Sequence, residues 1–237
     1  MDVKYSSDVK VELVKQSASD QDIAFAARVS TQGERSLGYP ETDKKKLSGL
    51  IGFLMRDRHG SPFEHSVFTF YVKAPIFVWR EHMRHRIASY NEESGRYRVL
   101  QPEFYIPDAE RNLLQIGKPG AYTFESGTSE QRAITLVNYR HSCEEAYRRY
   151  DEMIRHGIAK EVARGVLPLT IYSSAYVTIN ARSLMNFLSL RQNVEGQRFP
   201  SYPQREIEMV AEKYEKFFKE LMPLTYKAFV ENGRVAP

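Results

Sequence analysis

Residues 65–98 read HSVFTFYVKAPIFVWREHMRHRIASYNEESGRYR, and the rest of the chain is best read outward from them. His65–Val72 is rich in Val, Phe and Tyr and reads as a strand. Pro75 suits the first turn of a helix running to about His85, and the polar, glycine-containing run from Ile87 to Tyr97 reads as a loop. An apolar strand and helix thus anchor a dense polar segment, Arg80–Arg98, with five arginines, two histidines and three glutamates. Arg80 and Arg84 are four apart and share one face of the expected helix; Glu81 and His85 share the adjacent one. Alone, such a run is a solvated helix end whose cations sit favourably near the C-terminus. Here it passes into Ser94-Gly95-Arg96, which offers a hydroxyl, unobstructed backbone N–H groups and a guanidinium together. Those are the parts of a phosphate site.

Upstream, Val9–Val14 alternates apolar and charged residues and reads as a strand, Asp20 caps a short helix through Ala27, and Thr42 or Asp43 caps another carrying Leu47, Leu50, Ile51 and Leu54. Downstream, residues 107–130 are irregular, with Pro107, Gly117, Pro119, Gly120 and Gly127, and suit a surface excursion or a small hairpin. Ser129–His156 is a long amphipathic helix on which Tyr147 and Tyr150 read as a packed edge. Ala159–Leu167 is a short helix stopped by Pro168, Thr170–Ile179 is extended, and Ala181–Leu190 is helical. Gln204–Met222 and Pro223–Val230 close the chain as helices. The expected fold is α+β, a single domain over residues 1–237. In it a mixed or antiparallel sheet is packed by several long helices, and about half the chain is helical by pattern.

The 237 residues can bury a core without staples. An apolar fraction of 42% and a charged fraction of 27% exclude disorder as the main state, and a net charge of +4 is too small for bulk nucleic-acid binding. Of the 34 basic residues, 21 are Arg, which favours bidentate contacts to anions. One cysteine, Cys143, excludes a disulfide framework and a cysteine-rich zinc site, and the chain reads as cytoplasmic. His82, His141 and His156 lack ligand-like spacing, so no metal is expected. No signal peptide is visible, and the longest uncharged run, Gly165–Ala181, contains Pro168 and several polar residues, so no membrane span is expected.

The segment Arg84–Tyr97 resembles the signature of the flavin-dependent thymidylate synthases: R-H-R, seven residues, then S, within the longer R-H-R-I-A-S-Y-N-E-x-S-G-R-Y. Ala26–Ser30, Pro62–His65, Glu161–Arg164 with Leu167-Pro168, and Asn180–Leu188 with Leu190-Arg191 resemble further blocks of that family, in order. The resemblance implies methylation of dUMP to dTMP, with FAD as cofactor and NADPH and 5,10-methylenetetrahydrofolate as co-substrates. It also implies a homotetramer with shared sites acting on small molecules. No cysteine nucleophile is implied, which suits Cys143 lying mid-helix, away from every polar block. By the same resemblance dUMP would be held by Glu81, His82, Met83, Arg84, Glu92, Glu93, Ser94, Gly95, Arg96, Arg164 and Arg191, with Arg191 the catalytic residue at the uracil edge. FAD would be held by Ser61, Arg84, His85, Arg86, Glu92, Asn180, Ala181, Arg182 and Asn186. Glu64 and His65 read either as flavin-adjacent or as hydrogen-bonding residues at a strand start. No G-x-G-x-x-G is present, so this flavin site would be outside a Rossmann unit.

Three departures from the family pattern stand out: Glu81 where members often carry Gln, the long 111–130 excursion, and a long 192–204 segment with Tyr202 where some carry His. A different reading makes Arg80–Arg98, with its tyrosines, a single-stranded nucleic-acid-binding module. The three glutamates within it argue against that.

Overall fold

The computed structural model describes residues 2–38, 41–118 and 121–237. Strands β1 (Lys4–Ser6) and β2 (Lys10–Ser17) precede helices α1 (Asp20–Gln32) and α2 (Lys44–Arg56). Strand β3 (Val67–Pro75), helix α3 (Ile76–His82) and strands β4 (Ser89–Glu92), β5 (Glu103–Tyr105), β6 (Leu114–Lys118) and β7 (Ala121–Glu125) follow. The remainder is α4 (Ser129–Arg155), α5 (Lys160–Ala163), β8 (Tyr172–Asn180), α6 (Ala181–Arg191), α7 (Arg205–Leu221) and α8 (Pro223–Glu231). With 49% helix and 20% strand the fold is α+β, as the sequence pattern implies. The main sheet has the order β2-β3-β8-β4; β1 pairs with β5 in parallel, and β6 with β7 antiparallel.

Backbone packing divides the chain into two compact units, the first comprising the stretch up to Val9, Lys73–His82 and Glu92–Ala175. Its backbone is α4, started by a capping box: Thr128 Oγ1 accepts from the Gln131 N–H at 3.2 Å and Gln131 Oε1 accepts from the Thr128 N–H at 2.8 Å. Cys143, Tyr147 and Tyr150 on its inner face pack with Phe104, Ala163 and Ile171. The two tyrosines are more than an apolar edge. The Leu100 N–H donates to Tyr150 Oη at 3.1 Å, and Tyr147 Oη donates to the Leu100 carbonyl at 2.8 Å. Both backbone groups of Leu100 are thereby satisfied from one helix.

The second unit comprises Lys10–Val72, Met83–Asn91 and Tyr176–Pro237. Its core is aromatic. Phe70 of β3 meets Tyr214 of α7 in a tilted pair at 4.4 Å between centroids, Phe187 of α6 meets the same tyrosine at 5.5 Å, and Phe68 meets Phe218 edge-on. Helix α8 has no local side-chain cap. Asp20 of α1 supplies one from 204 residues away, accepting from the Leu224 N–H at 2.9 Å, the Thr225 N–H at 2.8 Å and Thr225 Oγ1 at 2.7 Å.

Several boundaries differ from the sequence reading. The cap of α1 is Ser19, whose side chain accepts from the Asp22 N–H, and the helix runs on to Gln32. The cap of α2 is Asp43. Helix α3 stops at His82, so Arg84 and His85 lie in the turn beyond it and share no helix face with Arg80 and Glu81. The expected loop from Ile87 contains strand β4 at the sheet edge; its S-Y-N-E sequence lacks apolar alternation because most of it is exposed. The stretch 159–167 splits into α5 and a 3₁₀ turn, Leu167 turning extended before Pro168. The 107–130 excursion is built around the β6–β7 hairpin; Pro119 and Gly120 lie outside the described residues. No helix among the described residues is long and apolar enough to cross a membrane.

Candidate active site

In the first unit a cavity of about 300 Å³ is lined by Glu92, Glu93, Gly95, Leu100, Glu161, Arg164, the Leu167–Leu169 turn, Tyr172 and Ser173, among others. Gly95 shapes one wall. A Cβ built there would lie 3.0 Å from Leu100 Cδ1 and 3.2 Å from Arg164 Cδ, so a larger residue would push the Arg164 stem and Leu100 off the backbone of the turn by a few tenths of an ångström. Since Leu100 is the residue held by Tyr147 and Tyr150, the wall is fixed from α4.

The Ser94–Arg98 turn closes on itself, which corrects one expectation. The Arg96 N–H donates to Ser94 Oγ at 3.2 Å, and the Tyr97 and Arg98 N–H groups both donate to the Ser94 carbonyl at 3.1 Å. Of the Ser94-Gly95-Arg96 N–H groups, turn closure therefore engages that of Arg96. What the turn turns outward is side-chain chemistry. Arg96 is exposed and its Nε donates to Glu161 Oε2 at 2.8 Å. Glu92 accepts from Ser173 Oγ at 2.5 Å. Glu93 latches the turn onto β8, accepting from the Ser174 N–H at 2.9 Å and Oγ at 3.2 Å while its own N–H donates to the Ser174 carbonyl. Glu81 is half-buried on α3. His82 is fully buried beside Trp79, whose Nε1 donates to the Ala74 and Ser173 carbonyls.

In the second unit the R-H-R segment is seated on α6. The His85 ring packs on Phe187 at 4.6 Å, and Arg191 Nε donates to His85 Nε2 at 3.1 Å, so that nitrogen is the unprotonated acceptor. Burial first, then the Arg191 guanidinium, pushes the His85 pKa down to about 4, so the ring is neutral at pH 7. Tyr90 Oη donates to the His85 carbonyl at 2.9 Å, and burial raises that phenol to about 12. Met83, Arg84 and Arg86 are exposed, and no ion pair engages either arginine among the described residues.

Helix α6 carries the remaining flavin candidates. Asn180 caps it, accepting from the Ser183 N–H at 2.8 Å; Ala181 is buried and donates its N–H to the Ser66 carbonyl; Asn186 is exposed. Arg182 lies over Gly60, where an added Cβ would strike its guanidinium. Its Nε donates to the Pro237 carbonyl at 2.7 Å and its Nη1 to Glu64 Oε1 at 2.6 Å. Glu64 is thus the partner of a flavin candidate. Ser61, Arg84, Arg86 and Asn186 are exposed, and hydroxyl, guanidinium and amide donors of this kind suit a large, doubly anionic dinucleotide.

Sequence reasoning named Glu161 and Leu167-Pro168 only as parts of family blocks and passed over Leu100, Tyr172 and Ser173. The available signal was the Ser173-Ser174 pair, adjacent polar groups within an expected strand that need partners.

A model of the family described as thymidylate synthase complementing protein matches residues 12–224, and the chain belongs to that family. Its curated relatives include proteins named flavin-dependent thymidylate synthase. That of Streptomyces coelicolor is 58% identical over 236 residues, covering 99% of this chain and 96% of the relative. That of Tropheryma whipplei is 57% identical over 237 residues, covering 100% and 98%. Among solved structures, the UMP/dUMP methylase PolB from Streptomyces cacaoi bound with 5-Br dUMP is similar with a TM-score of 0.94 and 49% identity, covering 99% of this chain and 100% of that one.

Proposed function

We propose that this protein is a flavin-dependent thymidylate synthase, its whole chain acting as one catalytic domain in the cytoplasm and assembling as a homotetramer. The balanced reaction is dUMP plus 5,10-methylenetetrahydrofolate plus NADPH and a proton, giving dTMP, tetrahydrofolate and NADP⁺. The observation that carries this reading is the first unit's cavity, where Gly95 seats Arg164 beside the Ser94–Arg96 turn. Relatives 57–58% identical over nearly the whole chain and named flavin-dependent thymidylate synthase support it, as does a structural neighbour bound to a uracil nucleotide.

The chain's own residues would do the following. Ser94 Oγ, Arg96 and Arg164 hold the phosphate by charge-assisted hydrogen bonds, with Glu81, His82, Met83, Arg84, Glu92 and Glu93 completing the nucleotide contacts. Arg191 stabilises negative charge on the uracil carbonyl, which makes C6 a better hydride acceptor. Ser61, Arg84, His85, Arg86, Glu92, Asn180, Ala181, Arg182 and Asn186 hold FAD. When bound and reduced by NADPH, FAD supplies the hydride. No thiolate adduct is required, and Cys143 is buried with its thiol pushed up in pKa by that burial.

The test is anaerobic. Purified protein should be yellow; given NADPH, dUMP and methylenetetrahydrofolate, it should form dTMP as its flavin is reoxidised. Colourless protein that elutes with nucleic acid on a salt gradient, and makes no dTMP when FAD is added, would replace this reading with the nucleic-acid one.

A further inference from the structure

Helix α6 ends at Arg191, and the long 192–204 segment folds back on that end. Ser201 Oγ donates to the Leu190 carbonyl at 2.7 Å; Gln197 Nε2 donates to the Gln192 carbonyl at 3.1 Å and the Ser189 carbonyl at 3.4 Å. Two side chains thus occupy acceptors that a helix C-terminus leaves open. The Asn193 N–H donates to Glu208 Oε1 on α7 at 3.1 Å. Gln192 leaves the helix extended, at φ −134° and ψ 150°, and sends its amide inward, 2% exposed.

There it enters a closed ring of three side chains. Gln192 Nε2 donates to Glu215 Oε2 at 2.7 Å; Arg234 Nη1 donates to Glu215 Oε1 at 2.6 Å; and Arg234 Nη2 donates to Gln192 Oε1. Tyr226 Oη adds a bond to Glu215 Oε1 at 3.1 Å, and the guanidinium lies over Phe229 at 5.1 Å. Arg234 is 4% exposed and adopts φ 57°, directly after Gly233 at φ 69°. A non-glycine residue held there carries backbone strain. The reversal is pinned by the Arg198 N–H donating to the Gly233 carbonyl at 3.0 Å, and a Cβ on Gly233 would come within 2.9 Å of Arg198 Cβ.

A buried ion pair is a poor source of net stability, because desolvating the two charges offsets most of their attraction. What it supplies is one geometry, and here that geometry is imposed on the residue next to Arg191. Resting on the reading of Arg191 as the residue that acts on uracil, we propose that the Gln192–Glu215–Arg234 ring is a positioning device for Arg191. It fixes the exit of α6 so that the guanidinium is held at one orientation, with Nε on His85. Gln192, Glu215 and Arg234 touch no reacting atom in this proposal; they act through Arg191.

Gln192→Met cuts the link to α6 and leaves the Glu215–Arg234 pair in place. In the FAD-loaded enzyme, single-turnover flavin reoxidation at saturating dUMP should slow by about 10- to 100-fold, the range for displaced catalytic groups. The dUMP dissociation constant should stay within about threefold. In an Arg191→Lys background the same substitution should cost nothing further, as expected when both act on one group. An independent readout comes from the flavin-free protein. The charged groups around His85 are Arg191 and the flanking Arg84 and Arg86, with Phe187 and Tyr90 against it. Releasing Arg191 should move the imidazole titration, followed by NMR, up from its wild-type value. Glu215→Gln, nearly isosteric, serves as second variant if Gln192→Met does not fold, and should give the same pattern. Unchanged turnover, losses that add in the Arg191→Lys background, or an unmoved His85 titration each overturn the proposal. If the wild type itself makes no dTMP, the functional reading fails, and the His85 titration alone decides whether the ring holds Arg191.

Discussion

Arg96, Arg191 and His85 carry separable roles. Arg96 is exposed, and its guanidinium meets the exposed Glu161 carboxylate and the exposed Tyr97 ring, so its truncation should leave the fold and the FAD content alone. Losing a charge-assisted contact worth about 1.5–3 kcal/mol should weaken dUMP binding by about 10- to 150-fold in Arg96→Ala, read by titrating dUMP against the flavin spectrum. Unchanged affinity would make Arg96 a surface residue. Arg191→Ala should act on the chemical step, by about 100- to 1,000-fold in single-turnover flavin reoxidation, and Arg191→Lys should recover only part because it lacks the planar fork. A normal rate with only a raised dUMP dissociation constant would demote Arg191 to a binding residue. His85 gives a pH dependence. Its folded pKa, about 4, lies below the ordinary value of about 6.5, so between those values the unfolded chain takes up a proton that the folded chain refuses. Stability present above about pH 6.5 is therefore lost as pH falls toward 4. His85→Gln should flatten that window in urea midpoints measured at pH 7 and pH 5; identical slopes would mean the ring is not buried neutral.

The elements show what local sequence carries and what it hides. Long amphipathic helices were legible: α4 and α7 lie within a residue or two of their expected ends, because apolar spacing and capping residues are local signals. Strands β1, β4 and β5 were not, since each is short and held by backbone pairing to a partner far along the chain. The stop of α3 at His82 was hidden too, as Met83-Arg84-His85 beyond it have ordinary helix propensity and contain no breaker. The same limit divides the site. The residues of Ser94–Arg96 and Asn180–Arg191 were visible as motifs, whereas the hold of α4 on Leu100 and the ring around Gln192 join residues 42 to 50 positions apart or bridge three elements. That hold makes an element-scale prediction. Tyr150→Phe leaves the Leu100 N–H without its partner in a half-buried position, at a cost of about 1–3 kcal/mol. The cavity wall formed by Leu100, Gly95 and Arg164 should loosen with it. Thermal unfolding should fall, and dUMP affinity should drop while FAD affinity holds; equal loss of both ligands would show a general unfolding effect instead.

Across the molecule, the residues proposed for the two ligands are weighted toward different compact units, although Met83, Arg84 and Arg191 of the dUMP set lie in the second. Apart from Glu92, every FAD candidate lies in the second; the turn and cavity residues for dUMP lie in the first. Hydrogen exchange should therefore give two footprints: dUMP slowing amides around 93–100 and 164–173, and FAD slowing those around 61 and 180–187. Each ligand should also raise the unfolding temperature in proportion to the logarithm of its concentration, and stripping the flavin should reverse only the second footprint. A single footprint common to both ligands would sink the assignment. One thiol serves the entire chain, and it is sealed: Cys143 is 1% exposed, its sulfur 3.4 Å from Thr170 Oγ1. Reagents that alkylate cysteine should leave turnover untouched. A cysteine placed anywhere on the surface would then be the sole fast-reacting handle, so pairs of spin or fluorescent labels could measure distances across the working enzyme without first removing a native residue.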